Sequence, residues 1–227
     1  MAATPFHPQW LLRSGPNREQ LLTHARGRVL DVGCANRWPE RILPEGCQYL
    51  ALDYPATGSD LYDSRPDVFA DAACLPFADN SIDTVLFFEV LEHVANPQRT
   101  LSEITRVLKP GGMLVMSMPF LYPMHDEPHD YQRYTRHGLM RELQAAKLDV
   151  SDVEPNLSSA ATAGLMANLA LSGMALEALR RRRPAVILIP LVVLSIPLIN
   201  LCTWVLSKLF PGWTAMTAGH NAIASKP

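Results

Sequence analysis

Between Arg28 and Met118 short apolar, β-branched runs alternate with helix-patterned stretches, and this alternation restricts the fold more than any other feature. Parallel strands read as such runs because crossover helices cover both faces of their sheet. Strands are predicted at Arg28 to Val32, Gln48 to Asp53, Asp67 to Ala70, Thr84 to Phe88, Met113 to Met118 and Leu148 to Val153. Helices are predicted over Asn17 to Ala25, from Asn96-Pro97 to Leu108, and over Thr135 to Lys147. Asn96 is a capping residue, and Pro97 brings a fixed φ suited to the first helical position. Lys109-Pro110-Gly111-Gly112 is predicted to end that helix sharply before the fifth strand, since proline cannot continue it and glycine tolerates positive φ.

A chain of 227 residues, 48% apolar, can bury one sizeable core. The formal charge of −2 and the pI near 6.4 supply no basic field, so a nucleic-acid partner is not expected. Cys34, Cys47, Cys74 and Cys202 show no C-x-x-C spacing, which argues against a zinc knuckle or a disulfide framework and for thiols in a reducing compartment. The start MAATPFHPQW has no basic stretch leading into an apolar run, so a cytoplasmic location is expected.

The first strand runs through Val29-Leu30-Asp31-Val32 into Gly33-Cys34-Ala35-Asn36. Ligands of open α/β sheets bind outside the carboxyl ends of the strands, where a tight turn lets the backbone approach a small molecule. Gly33 would allow that approach, and Asp31 can hold an ammonium directly or through water. Asp53, about 20 residues on, is placed to accept from both ribose hydroxyls of a nucleoside, an arrangement shared with NAD-binding folds. At the third strand's end Asp71 can accept from an adenine amino group while the Ala72 amide donates to the ring.

Together with Leu75-Pro76-Phe77, Glu89-Val90-Leu91-Glu92-His93 and Leu108-Lys109-Pro110-Gly111-Gly112, this order of motifs resembles the class I S-adenosylmethionine-dependent methyltransferases that carry D-x-G-x-G, L-P-F and E-V-L-E-H. The resemblance covers roughly residues 15 to 155. It implies a Rossmann-like, seven-stranded, mostly parallel sheet with an antiparallel last strand. S-adenosylmethionine (SAM) would bind at Asp31, Gly33, Ala35, Asp53, Asp71, Ala72 and Glu89. The chain departs from the family at Ala35 and Arg37, where glycines are usual. Ala35 should be tolerated, whereas Arg37 should open the turn wider or bring a charge near the methionine end.

Glu89, Glu92 and His93 share one face if their segment is helical, and three such ligands can hold a divalent cation. The spacing resembles the metal site of some methyltransferases that act on quinone-precursor phenols and RNA ends; many relatives carry E-V-L-E-H with no metal. Beyond the fifth strand, residues 119–135 gather histidines, acids, tyrosines and an arginine into a predicted substrate lid. This segment resembles the P-x-H-x-x-P-x-D-Y-x-R-[YF]-T loop of a bacterial branch of the family. His125 is the preferred general base and His93 the second, because imidazole titrates near neutral pH. Arg133 can clamp a phosphate or carboxylate, Tyr122, Tyr131 and Tyr134 can stack on a ring, and His129 and Asp130 complete the acceptor site. The plainer alternative is that Asp130 and Arg133 pair to fix the lid while His129 is solvated.

After Pro155 the character changes: Ala160 to Leu179 carries a single charge, Arg180 to Arg183 are four arginines, and Ala185 to Leu206 carries none. That stretch is long enough to span a bilayer. Asn221 to Lys226, however, reads as the seventh strand, beside the fifth, and a single crossing would leave it in the wrong compartment. The expected organisation is a core over 1–156, an apolar helical insertion over 157–218 and a final strand over 219–227. Helices lying at the inner membrane surface with arginines on anionic headgroups are the favoured picture; a homodimer interface, a substrate tunnel and a true span are the alternatives. The function expected from the resemblance is O-methylation of a lipid-linked, glycan or other amphipathic acceptor. A soluble enzyme of secondary metabolism and a non-enzymatic scaffold are the competing readings.

Overall fold

The computed structural model describes residues 4–15, 18–55 and 65–227. It divides into two compact units, a sheet unit (residues 17–120, 124–154 and 220–227) and a helical unit (residues 1–16, 121–123 and 155–219). The expected insertion at 157–218 thus forms a unit that also takes in the N-terminal segment and three residues after the fifth strand.

The sheet strands are β1 (Arg28–Val32), β2 (Gln48–Asp53), β3 (Val68–Phe69), β4 (Ile82–Phe88), β5 (Leu108–Pro119), β6 (Asp149–Pro155) and β7 (Gly219–Ser225). Their spatial order is β3-β2-β1-β4-β5-β7-β6, with β1, β2, β3, β4 and β5 paired in parallel. The start of β5 meets the end of β7, with Gly111 N–H donating to Lys226 O and Lys226 N–H to Gly112 O, so the last strand runs antiparallel beside the fifth as expected.

Helices α1 (Arg18–Leu22), α2 (Pro97–Val107) and α3 (Arg136–Ala145) serve this sheet. Alternation along each strand decides what they cover. Leu30, Val85, Phe87, Leu114 and Met116 pack with Leu101, Ile104 and Val107 of α2 and Leu139 and Leu143 of α3. Val29, Leu86, Phe88 and Val115 pack with Leu22 and Ala25 on the opposite side. Each fully buried side chain of this size contributes about 1.5–3 kcal/mol. The Asn96 side chain accepts from Arg99 N–H at the start of α2, and Thr135 accepts from Gly138 N–H at the start of α3.

Several boundaries differ from expectation. The first helix stops at Leu22, and Thr23, His24 and Ala25 close three-residue turns instead; its expected cap, Asn17, lies outside the described residues. Lys109-Pro110-Gly111-Gly112 does not separate helix from strand, because β5 already begins at Leu108. The register jumps from Ile82↔Leu108 to Thr84↔Met113, so these residues form a bulge, with Gly111 at φ 73° and Lys109 Nζ 2.8 Å from both Asp83 carboxylate oxygens. The third strand is shortened to two residues, and the sixth runs on to Pro155.

In the helical unit, α4 (Ser159–Arg180), a 3₁₀ turn (Pro184–Leu188) and α5 (Ile189–Leu209) form a hairpin. Gly164 permits its close packing, since a Cβ there would lie 2.3 Å from Thr203 Oγ1. Leu11, Leu157, Ala161, Leu165 and Ala218 form its buried core. Asn168 donates to Asn200 Oδ1 at 2.7 Å, and Asn200 donates in turn to the carbonyls of Pro5 and His7.

His220 of β7 is buried with its ring 5.5 Å from that of Phe120, and burial, then Arg136, pushes its pKa from 6.5 down to about 4. The unfolded chain therefore takes up this proton near pH 6.5 and the folded chain only near pH 4, so stability from this source is lost as pH falls through that window. The loss by pH 4 is expected to be on the order of 3 kcal/mol. Thermal unfolding of His220→Phe across the same range should show a correspondingly flatter acid limb; an unchanged slope would assign the acid sensitivity to other groups.

Candidate active site

The strand ends of β1, β2 and β4 open on a cavity of about 370 Å³ within the sheet unit. Asp31, Gly33, Ala35, Asp53, Asp71, Ala72 and Glu89 all line it, as do His93, Asp126, His129 and Tyr131.

The turn after β1 is built by backbone bonds. Gly33 N–H and Cys34 N–H both donate to Leu52 O, at 2.8 and 3.1 Å. Gly33 has φ 78°, and a Cβ there would sit 2.3 Å from Val90 Cγ2, so only glycine fits. Ala35 and Arg37 take φ 42° and 55°, the conformation that glycine favours, so the turn keeps its path without the usual glycines. Such residues cost on the order of 1 kcal/mol each. The Arg37 charge is paired rather than left over the ligand site, with Nε 2.9 Å from Glu40 and Nη1 3.1 Å from Asp67. Asp67 also accepts from Ala51 N–H, tying the turn to the β2–β3 edge.

Asp53 accepts from Ala35 N–H at 3.1 Å and from Tyr54 N–H at 2.9 Å, which points its carboxylate at the cavity mouth. Asp31 is buried and accepts from Tyr49 Oη at 2.5 Å; burial pushes its pKa up to about 7, against the lowering effect of that hydrogen bond. A cation beside Asp31 would return it to the ionised form, so its protonation is linked to binding a positively charged ligand. Asp71 accepts from Ala73 N–H, which turns the chain after β3.

The segment after β4 departs from the sequence reading. Glu89 has φ 55°, and only Leu91–His93 form a helical turn, of 3₁₀ type. The expected common face of Glu89, Glu92 and His93 therefore does not form. Glu89 Oε1 accepts instead from Ser117 Oγ at 2.5 Å. The three groups whose donor atoms lie within 4.8 Å of one another are Glu92, His93 and His125. Glu92 is fully buried, and neither carboxylate oxygen has a hydrogen-bond partner among the described residues. Its Oε1 is 3.6 Å from His93 Nε2 and 3.9 Å from His125 Nε2, beyond hydrogen-bond range. Burial first, then the Glu89 charge, raises its pKa well above the carboxylate range. A divalent cation is the kind of group that would satisfy such an orphan.

The lid residues separate. His93 lines the cavity; its Nδ1 lies 2.7 Å from His129 O, an acceptor only, which assigns the proton to Nδ1 and the lone pair to Nε2. His125 packs edge-on against His93 at 4.8 Å, with Nδ1 3.4 Å from Asp130. Asp130 and Arg133 form the two-pronged pair of the plainer alternative, and Arg133 first, opposed by burial, holds the Asp130 pKa down to about 2. His129 Nδ1 lies 3.1 Å from Tyr131 Oη. Tyr134 packs against the sheet core, and Tyr122 lies in the helical unit, where its hydroxyl accepts from Gln9. Tyr49, Ser117 and Val90 position the site with nothing in the sequence to announce them. Trp38, which lines the cavity 5.6 Å from Phe88, follows the turn directly and was open to prediction as an aromatic wall.

Acids after successive parallel strands around a glycine turn are the arrangement by which Rossmann-like folds hold a nucleoside. Residues 30–116 match the family described as a methyltransferase domain. The chain is 39% identical over 95 residues to a demethylmenaquinone methyltransferase of Renibacterium salmoninarum, covering 40% of each chain. It is 32% identical over 116 residues to a probable S-adenosylmethionine-dependent methyltransferase of Mycolicibacterium smegmatis, covering 48% of this chain and 45% of that one. The chain thus spans less than half the length of these relatives. In fold it is similar to a SAM-dependent methyltransferase of Methanosarcina mazei, with TM-score 0.54, 13% identity and coverage of 93% of this chain and 97% of that one. Residues 30–116 are thus similar to a methyltransferase domain, and SAM is the cofactor that such a domain implies.

Asp53→Ala should weaken binding of S-adenosylhomocysteine by about 10-fold or more in calorimetry, the worth of a hydrogen bond to a charged group. Unchanged affinity in a folded variant would remove the strand-end acids from the cofactor site.

Proposed function

We propose that this protein methylates an oxygen of an amphipathic acceptor, lipid-linked or glycan in nature. What supports the reading is that His93 lines the same cavity as Asp31, Asp53 and Asp71 with the lone pair of its ring on Nε2, because SAM brings its own electrophilic methyl group and the protein must supply alignment and one proton acceptor. Bound SAM would supply the methyl group to the acceptor oxygen, and His93 Nε2 would take the proton that the acceptor hydroxyl gives up. The His129 carbonyl holds the imidazole in the required tautomer, and burial keeps His93 below the usual histidine range, ready as a neutral base. His125 acts through its packing on His93, while Asp130 and Arg133 lock the loop that carries it. Tyr131 and Trp38 supply aromatic surface to the acceptor.

Incubating the protein with methyl-labelled SAM and either a lipid and glycolipid extract or the water-soluble pool should place base-stable label in the organic-extractable fraction. Label confined to the aqueous pool would instead favour a soluble small-molecule enzyme. With the labelled acceptor in hand, His93→Ala should lower kcat by about 100-fold or more. S-adenosylhomocysteine affinity should stay near wild type, and an equal loss of both would show packing rather than chemistry.

The orphaned Glu92 favours a second reading of the same atoms, in which Glu92, His93 and His125 hold a divalent cation that polarises the acceptor hydroxyl. The two readings exclude one another, since each uses the lone pair of His93 Nε2. The cation reading expects stoichiometric Mn²⁺ or Zn²⁺ binding that Glu92→Gln abolishes, and loss of turnover in a strong chelator. Turnover that survives the chelator assigns His93 as the base.

A further inference from the structure

We infer that the α4–α5 hairpin is immersed in a lipid bilayer, with its arginine turn seated on anionic headgroups. The inference rests on the helical unit alone and does not depend on methyl transfer. Ile187, Leu191, Leu194, Leu198, Leu201, Val205 and Leu209 recur at spacings of three and four residues, so they form one apolar stripe along the whole of α5 and its leading turn. They are solvent-facing, with Ile187 82% and Leu198 69% exposed. Leu188, Val193, Trp204 and Leu206 are exposed on either side of the stripe, leaving the helix no polar face. A helix laid on a membrane surface needs such a face, and a dimer seam covers only a narrow strip. An arc this wide, on a helical segment of mean hydropathy 2.6, fits acyl chains on all sides.

The polar groups of α5 obey the same constraint. Ser195 Oγ donates to Val192 O, Thr203 Oγ1 to Ile199 O and Ser207 Oγ to Trp204 O, while Asn200 is paired with Asn168. Within α5 these groups are satisfied as a medium without water demands, whereas Thr162 Oγ1, Asn168 Oδ1 and Ser172 Oγ of α4 have no partner among the described residues. α4 has 22 residues, a length of about 33 Å, against about 30 Å of hydrocarbon, so the turn at Arg180 to Arg183 reaches headgroups rather than the bilayer midplane. Those four arginines and Lys208 stand against Glu177 as the only acid between residues 155 and 219, which makes the unit complementary to anionic lipid. Trp10 and Trp204, 6.5 Å apart, and the exposed Trp213 supply interfacial aromatics.

The test is fractionation of the full chain from cells, followed by flotation with vesicles. The wild type should stay in the membrane pellet through high salt and alkaline carbonate and leave it only with detergent. It should float with phosphatidylglycerol-containing vesicles in preference to pure phosphatidylcholine vesicles, and changing Arg180, Arg181, Arg182 and Arg183 together to Gln should reduce that preference on the order of 100-fold. The triple variant Leu191→Asp, Leu194→Asp, Leu198→Asp should move to the soluble fraction with S-adenosylhomocysteine binding intact. Release of the wild type by salt or carbonate would overturn immersion. So would a detergent-free soluble dimer that the triple variant makes monomeric, which would assign the stripe to a second copy. The wild-type result stands even if the triple variant misfolds, and retained S-adenosylhomocysteine binding separates this outcome from failure of the cofactor site.

Discussion

The Asp53 carboxylate holds together two pieces of chain that the rest of the site takes for granted. One oxygen accepts the Ala35 amide from the turn after β1, and the other accepts the Tyr54 amide after β2. Two backbone amides on the preceding Leu52 carbonyl complete the join, so the turn is strapped to β2 by its own main chain. Gly33 can then lie against Val90 with no side chain between them, which sets where the chain after β4 begins. Everything that follows β4, including the positive φ at Glu89 and the short turn that buries Glu92, starts from that contact. This also explains why Ala35 and Arg37 can replace glycines: the bonds pin the backbone, and strain of about 1 kcal/mol per residue is small against several hydrogen bonds.

Two buried carboxyls near one cavity show how environment divides their roles. Asp31 and Glu92 are both withdrawn from water, and both are pushed upward mainly by burial. Asp31 has the Tyr49 hydroxyl, so its ionised form is partly supported and a ligand cation can complete the support. Glu92 has two histidine nitrogens at distances too long to bond, and a like charge at Glu89. The first arrangement suits a group that meets a charged ligand as it arrives. The second is the costlier one, and its cost is relieved either by holding a proton or by a cation shared with His93 and His125.

The sheet was legible because its signals are local. An apolar run closed by an acid marks β1 and β2, and Asn96-Pro97 marks the start of α2, without reference to anything distant. Pro110-Gly111-Gly112 was misread because the same residues serve a helix stop and a strand bulge; the pairing with β7, more than 100 residues later in sequence, decides between them. Spacing made Glu89, Glu92 and His93 look like one helical face, yet a single left-handed residue at Glu89 removed it. The lid offered three tyrosines of equal promise. Only packing separates Tyr131 in the cavity from Tyr134 against the core and Tyr122 in the helical unit. Arg37 looked like a free charge although one partner, Glu40, stands three residues on; only the second, Asp67, lies 30 residues away.

A composition that is 48% apolar, with mean hydropathy of +0.03, conceals how unevenly the apolar residues are used. In the sheet unit most of them form a core bounded by charged pairs such as Lys109 with Asp83 and Arg106 with Glu103, while Ile42, Phe69 and Met124 are exposed. In the hairpin the apolar stripe of α5 faces outward, and Asn168 and Asn200 are turned in. Apolar surfaces alone give two long helices little reason to prefer one register over another, since leucine meets leucine almost equally well after a one-turn slip. The Asn168–Asn200 bond supplies the preference, because a slip would leave both amides buried without partners. Asn200 extends the same constraint to the carbonyls of Pro5 and His7, so one buried amide fixes both the pairing of the helices and the path of the N-terminal segment across them.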